Sequence, residues 1–178
     1  MRTTRVKVVT AAATLAIAGA GTLGVVSASA QAPAAPSVPA AATTTSTHLT
    51  IDAAADAAQA ALDAAEKEGQ RVTVAVVDRN GTTIVTLRGD GAGPQSYESA
   101  IRKAYTAVSW NAPTSELVNR LASAPNLKDI PNTLFLAGGV PVTSRNAPIA
   151  GIGVAGAPSG DLDEKFARAG VTELARGR

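Results

Sequence analysis

Cysteine is absent from the 178 residues, and histidine and methionine each occur once, as His48 and Met1. Aromatic side chains make up only 3% of the chain: Trp110, Tyr97, Tyr105, Phe135 and Phe166. The missing thiols exclude disulfide frameworks, Cys-based zinc sites, thiolate nucleophiles and cysteine-held iron–sulfur clusters. A Ser-His-Asp triad has only His48 to draw on, and among so many Ser and Thr residues nothing selects a nucleophile. So few aromatics build no stacking platform for single-stranded nucleic acid.

Excess charge of one sign is also missing from the body of the chain. The formal net charge is +2. Met1 to Ala30 carries Arg2, Arg5 and Lys7 and no acid, and without it 13 basic residues face 14 acidic ones, a net charge of −1. The remainder has no electrostatic case for DNA or RNA as a partner.

The N-terminus reads as an address. Met1 to Lys7 is basic, Val8 to Val26 is apolar and uncharged, and Ala28-Ser29-Ala30 fits a small-x-small cleavage site before Gln31. This pattern predicts a secretory signal peptide over 1–30 and a secreted, extracellular protein; a retained membrane span is the alternative. Gln31 to Thr47 is a Pro/Ala/Thr-rich linker with Val38 as its one larger apolar side chain, too little to repay ordering. The folded domain is expected over 48–178, large enough for one modest core.

Within it, Thr50 is placed to cap a helix over 51–68, with an apolar stripe of mostly alanine (Ile51, Ala54, Ala55, Ala58, Leu62, Ala65) and Gly69 as its stop. Residues 71–77 and 82–88 are β-branched runs around Asp78-Arg79-Asn80-Gly81, an antiparallel hairpin whose Asn-Gly supplies positive φ angles. Ser96 is expected to cap a helix over 97–110 with a core stripe of Tyr97, Ile101, Ala104, Tyr105 and Val108. A second face carries Ser99, Lys103, Thr106 and Trp110, suited to an anionic planar ligand, to another subunit, or to a half-exposed side with Trp110 at its end. Pro113 breaks this helix and Thr114 caps a shorter one. Residues 133–137, 141–144 and 149–155 read as three further strands, with Gly138-Gly139 and Arg145-Asn146 at their turns, before a last helix over 162–175 led by Asp161. The expected class is α+β: a single domain with an antiparallel sheet of about five strands and helices packed on it.

Two motifs have competing readings. Gly151-Ile-Gly-Val-Ala-Gly156 matches G-x-G-x-x-G, but it lies inside a strand with no later strand to complete a dinucleotide site; close approach of backbone to a neighbour accounts for its glycines. Asp161 and Glu164 are three apart on a helix, so they share a face and are spaced for a hard or borderline cation. Asp161 as N-cap with Glu164 reaching back is the other reading. Asp63 and Glu66 repeat the spacing on a solvated face, and Glu98 has a plain role as an i, i+4 partner for Arg102.

The segments V-A-V-V-D-R-N-G-T (74–82), G-D-G-A-G-P-Q-S (89–96), R-K-A-Y-T-A (102–107), L-A-G-G-V-P-V (136–142) and G-I-G-V-A-G (151–156), followed by the acid-led helix, resemble the GlcG/HbpS family over essentially all of 49–175, and its secreted haem-binding branch in particular. The resemblance implies a compact α+β subunit that forms homo-oligomers, octamers in that branch. It also implies haem binding, slow haem breakdown with binding of an iron ion, and modulation of a membrane sensor histidine kinase. It places the haem-contacting threonine at Thr133 and the junction histidine at His48. The acid-x-x-acid iron motif would begin at Glu98, but its fourth position is Ile101, which leaves Asp161 with Glu164 as the surviving acid pair. Strong axial ligands to haem are His, Cys, Met or Tyr, and both tyrosines are expected to face the core. Haem would then rest on apolar contact, a weak threonine ligand, and cations such as Arg102 or Lys103 beside Thr106, near the propionates. The alternative function is an oligomeric interaction module that docks to a sensor ectodomain without haem.

Overall fold

The computed structural model describes residues 37–177, so the expected signal peptide and the start of the linker lie outside the described residues. Two compact units divide the chain, Met1–Thr43 and Thr44–Arg178. In the first, the described residues form one 3-10 turn, Ala40–Ala42, closed by Thr43 through its amide and hydroxyl on Ala40 O. No helix among the described residues is long and apolar enough to cross a membrane.

The second unit runs α1 (Ile51–Lys67), β1 (Thr73–Asp78), β2 (Thr83–Arg88), α2 (Pro94–Trp110), α3 (Thr114–Leu117), β3 (Gly139–Ser144), β4 (Ala147–Ala155) and α4 (Gly160–Arg176). Between α3 and β3 the chain makes two short 3-10 turns, Val118–Ala122 and Pro125–Asp129. The four strands form one sheet in the order β2-β1-β4-β3, antiparallel throughout. The class is α+β, as the patterning requires.

Alternation along the central strands loads both faces. Val74, Val76, Ile152 and Val154 meet the alanine stripe of α1 and Phe166 of α4. Ala75 and Val77 point the other way, onto Ala100, Ala104 and Val108 of α2. Alanine on α1 lets helices touch backbone to backbone: a Cβ on Gly170 of α4 would lie 2.6 Å from Ala57 O. The sheet–α2 contact is closer still. A Cβ on Gly139, Gly151 or Gly153 would fall 2.3, 2.2 or 2.1 Å from the carbonyl oxygens of Lys103, Ala104 and Ala100. The G-x-G run is therefore a seat for a helix backbone, the close-approach reading.

The β1–β2 turn uses one positive φ, at Gly81 (85°), with Gly81 N donating to Asp78 O (3.0 Å), and Asp78 Oδ1 accepts the amides of Asn80 and Thr82. That geometry is a type I turn closed by a left-handed glycine. The β3–β4 turn has two positive φ angles, at Arg145 (50°) and Asn146 (63°), which is the tight mirror-image turn.

Five local expectations change. Residues 133–137 are irregular chain rather than a strand, because their polar backbone is bound elsewhere: Thr133 N donates to Ile130 O and Leu134 N to Thr106 Oγ1. The sheet thus has four strands. Helix α2 begins at Pro94 with Gly93 as N-cap, and the Ser96 hydroxyl, instead of capping, lies buried between Gly93 O (2.6 Å) and Thr73 Oγ1 (2.7 Å). Its buried side includes Lys103 and Thr106, while Tyr97 is exposed, so the stripe is rotated from the expected one. Helix α4 is capped by Ser159, which accepts from Leu162 N, so Asp161 sits in the first turn and the Asp161–Glu164 capping box does not form. Thr114 likewise does not cap α3; its hydroxyl accepts from Gly139 N (2.8 Å) and pins the start of β3.

Candidate functional site

The flank of α2 that faces residues 133–134 carries the polar chemistry. Arg102 Nη2 donates to Thr133 O (2.7 Å), and one turn on Thr106 Oγ1 accepts from Leu134 N (2.8 Å) while donating to Arg102 O. The structure thus gathers Arg102, Thr106 and Thr133 from the sequence candidates. Thr133 is only 2% exposed, and its hydroxyl donates to Ile130 O at 2.7 Å. Within three residues of it on either side stand Ile130 and Leu136, two large apolar side chains left 39% and 54% exposed. Beneath, Phe135 meets Trp110 edge to face, ring centroids 5.3 Å apart, over a small cluster with Ala112 and Leu117.

Lys103 is adjacent in sequence but points inward. Its Nζ donates to Asp163 Oδ2 at 2.7 Å and to Val154 O at 3.0 Å, with both partners of the ion pair buried. It is spent on α4 and is not offered to the surface beside Arg102. Asp163 also accepts the Ala157 amide on Oδ1 (3.0 Å). Burial holds its carboxyl above the usual aspartate range; Lys103 and the amides of Ala157 and Gly156 pull it back in part. Beside the pair opens a cleft of about 350 Å³ lined by Leu136, Ala137, Ala157, Pro158, Ser159, Gly160 and Asp161.

The other candidates lie apart. His48 is exposed: Nε2 is 2.6 Å from Ser46 Oγ, and Nδ1 is 4.0 Å from Asp78 Oδ2 beside the β1–β2 turn, with no contact to Thr133. Glu98 is exposed on the first turns of α2. Asp161 is exposed, whereas Glu164 is buried and held by Ser115 N (3.1 Å), Ser115 Oγ (2.9 Å) and Arg168 (2.7 Å). Among the described residues no three His, Cys, Asp or Glu side chains converge in a metal-binding group. Glu164, through Ser115, fastens α4 to α3, and Asp161 stands exposed one turn before it.

The profile of the family described as "Haem degrading protein HbpS-like" matches residues 49–172. The chain belongs to the HbpS-like family. Among solved structures, HbpS is 72% identical at a TM-score of 0.76, over 77% of this chain and 97% of that one. A Streptomyces reticuli HbpS double mutant is also 72% identical, at a TM-score of 0.75, over 79% of this chain and 97% of that one. A PduOC–haem complex is 26% identical, at a TM-score of 0.66, over 71% of this chain and 95% of that one. No curated protein sequence matches.

For this HbpS-like chain, sequence reasoning missed Asp163. Its signal was present in the spacing. With Ser159 rather than Asp161 as cap, the buried side of the helix is Asp163, Glu164, Phe166, Ala167 and Gly170, so Asp163 turns inward with the apolar residues.

Proposed function

We propose that this HbpS-like protein is a secreted haem-binding protein that buffers haem, degrades it slowly with capture of an iron ion, and reports haem and oxidative stress, as a homo-oligomer, to the ectodomain of a membrane sensor histidine kinase. The family and the haem complex of a relative support the ligand class. The observation that carries the reading is the surface around Thr133, where two exposed apolar side chains, Ile130 and Leu136, stand beside an exposed guanidinium. Apolar area and a guanidinium are what a flat, hydrophobic dicarboxylate requires.

The donor set fits haem that is held loosely. The Thr133 hydroxyl is a weak ligand and reaches a metal only if residues 130–134 shift, because it is buried on Ile130 O. Arg102 spends one N–H on Thr133 O and keeps others for a propionate. Lys103, held by Asp163, takes no part at this surface. When bound, the haem supplies the iron at which oxidative breakdown occurs. The chain's own residues would hold the porphyrin by its apolar edge, through Ile130 and Leu136, and by a carboxylate, through Arg102.

Haemin titration tests the reading with two signals, the Soret band and the fluorescence of the sole tryptophan, Trp110, whose ring lies on Phe135 two residues from Thr133. A saturable response at micromolar haemin is expected, several-fold weaker in Arg102→Ala. A spectrum that does not move, with protein that stays colourless after gel filtration, removes the function and leaves the alternative of a docking module without haem.

A further inference from the structure

The cleft beside Lys103 and Asp163 adjoins the Arg102–Thr133 surface at Leu136, which lines it, but is walled by different polar groups. Buried ion pairs contribute little net stability, since the desolvation of both charges offsets their attraction. A buried ion pair on the wall of a cleft is a candidate for ligand chemistry. Lys103 carries three N–H groups, of which Asp163 Oδ2 and Val154 O take two. The backbone around Nζ is stripped of side chains. A Cβ on Gly138 would lie 2.7 Å from Lys103 Nζ and 2.8 Å from Asp163 Cβ, and one on Gly160 would lie 2.8 Å from Ala137 O. Nothing larger than glycine fits at those two places, and the space left is about 350 Å³, the size of a small organic molecule.

We propose that this cleft binds a carboxylate, and that Lys103 exchanges the carboxylate of Asp163 for that of the ligand. The ligand oxygen takes the ammonium, and Asp163 takes up one proton from solvent and donates it in a hydrogen bond to the same ligand. The groups that bear on Asp163 are consistent with this exchange. From α2 there is Lys103; from α4 itself, the exposed Asp161, which lines the same cleft; from β4 and the turn after it, the backbone of Val154, Gly156 and Ala157. Burial already shifts Asp163 toward its protonated form. Binding should therefore strengthen as pH falls. The carboxylate has two sources, a free small acid or a propionate of haem, and only the second depends on the haem reading.

Calorimetry with acetate and with propionate, in two buffers of different ionisation heat, reads affinity and proton uptake together. The expected result is millimolar binding with close to one proton taken up. Asp163→Asn should bind about tenfold tighter and without proton uptake, because Lys103 no longer has a competing anion. A role confined to holding the fold would destabilise that variant without conferring acid binding. Lys103→Met should lose binding, but its fold is at risk, so Asp163→Asn is the deciding variant. Haemin and its dimethyl ester form the second arm, read by the carbon NMR signal of the Asp163 carboxyl. A shift with haemin that the ester does not produce assigns the site to a propionate. Silence toward free acids in both the native protein and Asp163→Asn, together with no difference between haemin and its ester, overturns the proposal.

Discussion

At the scale of single residues, the Asp163 carboxyl and the Thr86 hydroxyl carry opposite lessons about buried polar groups. Asp163 is satisfied, by Lys103 and by the Ala157 amide, and its carboxyl still lies above 3.8 because burial outweighs both. A group that holds its proton more tightly folded than unfolded adds stability that is fully present below the unfolded value and is lost as pH rises through the folded one. The stability of the native protein relative to Asp163→Asn should therefore decline as pH is raised upward from about 4, measured by urea unfolding at a series of pH values. A difference that grows with pH over that range contradicts this assignment. Lys103→Met removes the pair's attraction and keeps its desolvation cost, so it should lose about 3–5 kcal/mol at neutral pH. Thr86 Oγ1, by contrast, is a buried hydroxyl without a hydrogen-bond partner among the described residues. Thr86→Val keeps the branched shape and the strand preference and discards the unpaired oxygen. It should gain about 1 kcal/mol, seen as a higher midpoint of thermal unfolding.

At the scale of elements, the decisive contact is α2 on β4. It is made of main chain, with the Ala100 and Ala104 carbonyls seated over Gly153 and Gly151. Gly153→Ala would put a methyl 2.1 Å from Ala100 O, where neither partner is a flexible side-chain end. The helix must lift, at a cost of about 3 kcal/mol. Gly69→Ala, by comparison, meets no atom within 4 Å and suffers only its positive φ of 67°. Calorimetric unfolding of the two variants should rank them in that order. This interface explains why some elements were legible in the sequence and others were not. Helix α1, the β1–β2 hairpin and the glycine seat each announce themselves through local period, Asn-Gly chemistry or paired glycines. Residues 133–137 carry a strand-like pattern, Thr-Leu-Phe-Leu, but their amides are claimed by Thr106 and by a local turn, which no local pattern reveals. The same limit hid the site. Lys103 reads as one cation on an exposed face because its partner lies 60 residues away on a helix whose cap was misplaced by two positions. Arg102, Thr106 and Thr133 came together because two of them share a helix side and the third was supplied by the family resemblance.

At the scale of the whole molecule, alanine and glycine replace bulk with closeness: two layers of helices lie on a four-stranded sheet through small side chains, with no covalent staple because the chain has no cysteine. Export is a separate question and has a physical signature of its own. All the excess positive charge sits at Arg2, Arg5 and Lys7, within the segment that cleavage after Ala30 would remove. Cutting after Ala30 leaves a chain that begins at Gln31 with 13 basic and 14 acidic side chains, so its formal charge passes from +2 to −1. At neutral pH the exported protein should bind an anion exchanger in low salt, whereas the full-length chain kept inside the cell should not. Intact-mass measurement of the protein collected from the medium fixes the cut. A mass that retains Met1 to Ala30, or a protein confined to the cell, would remove the secreted role and with it any direct report to an extracellular sensor domain, while the carboxylate chemistry of Lys103 and Asp163 would be unaffected.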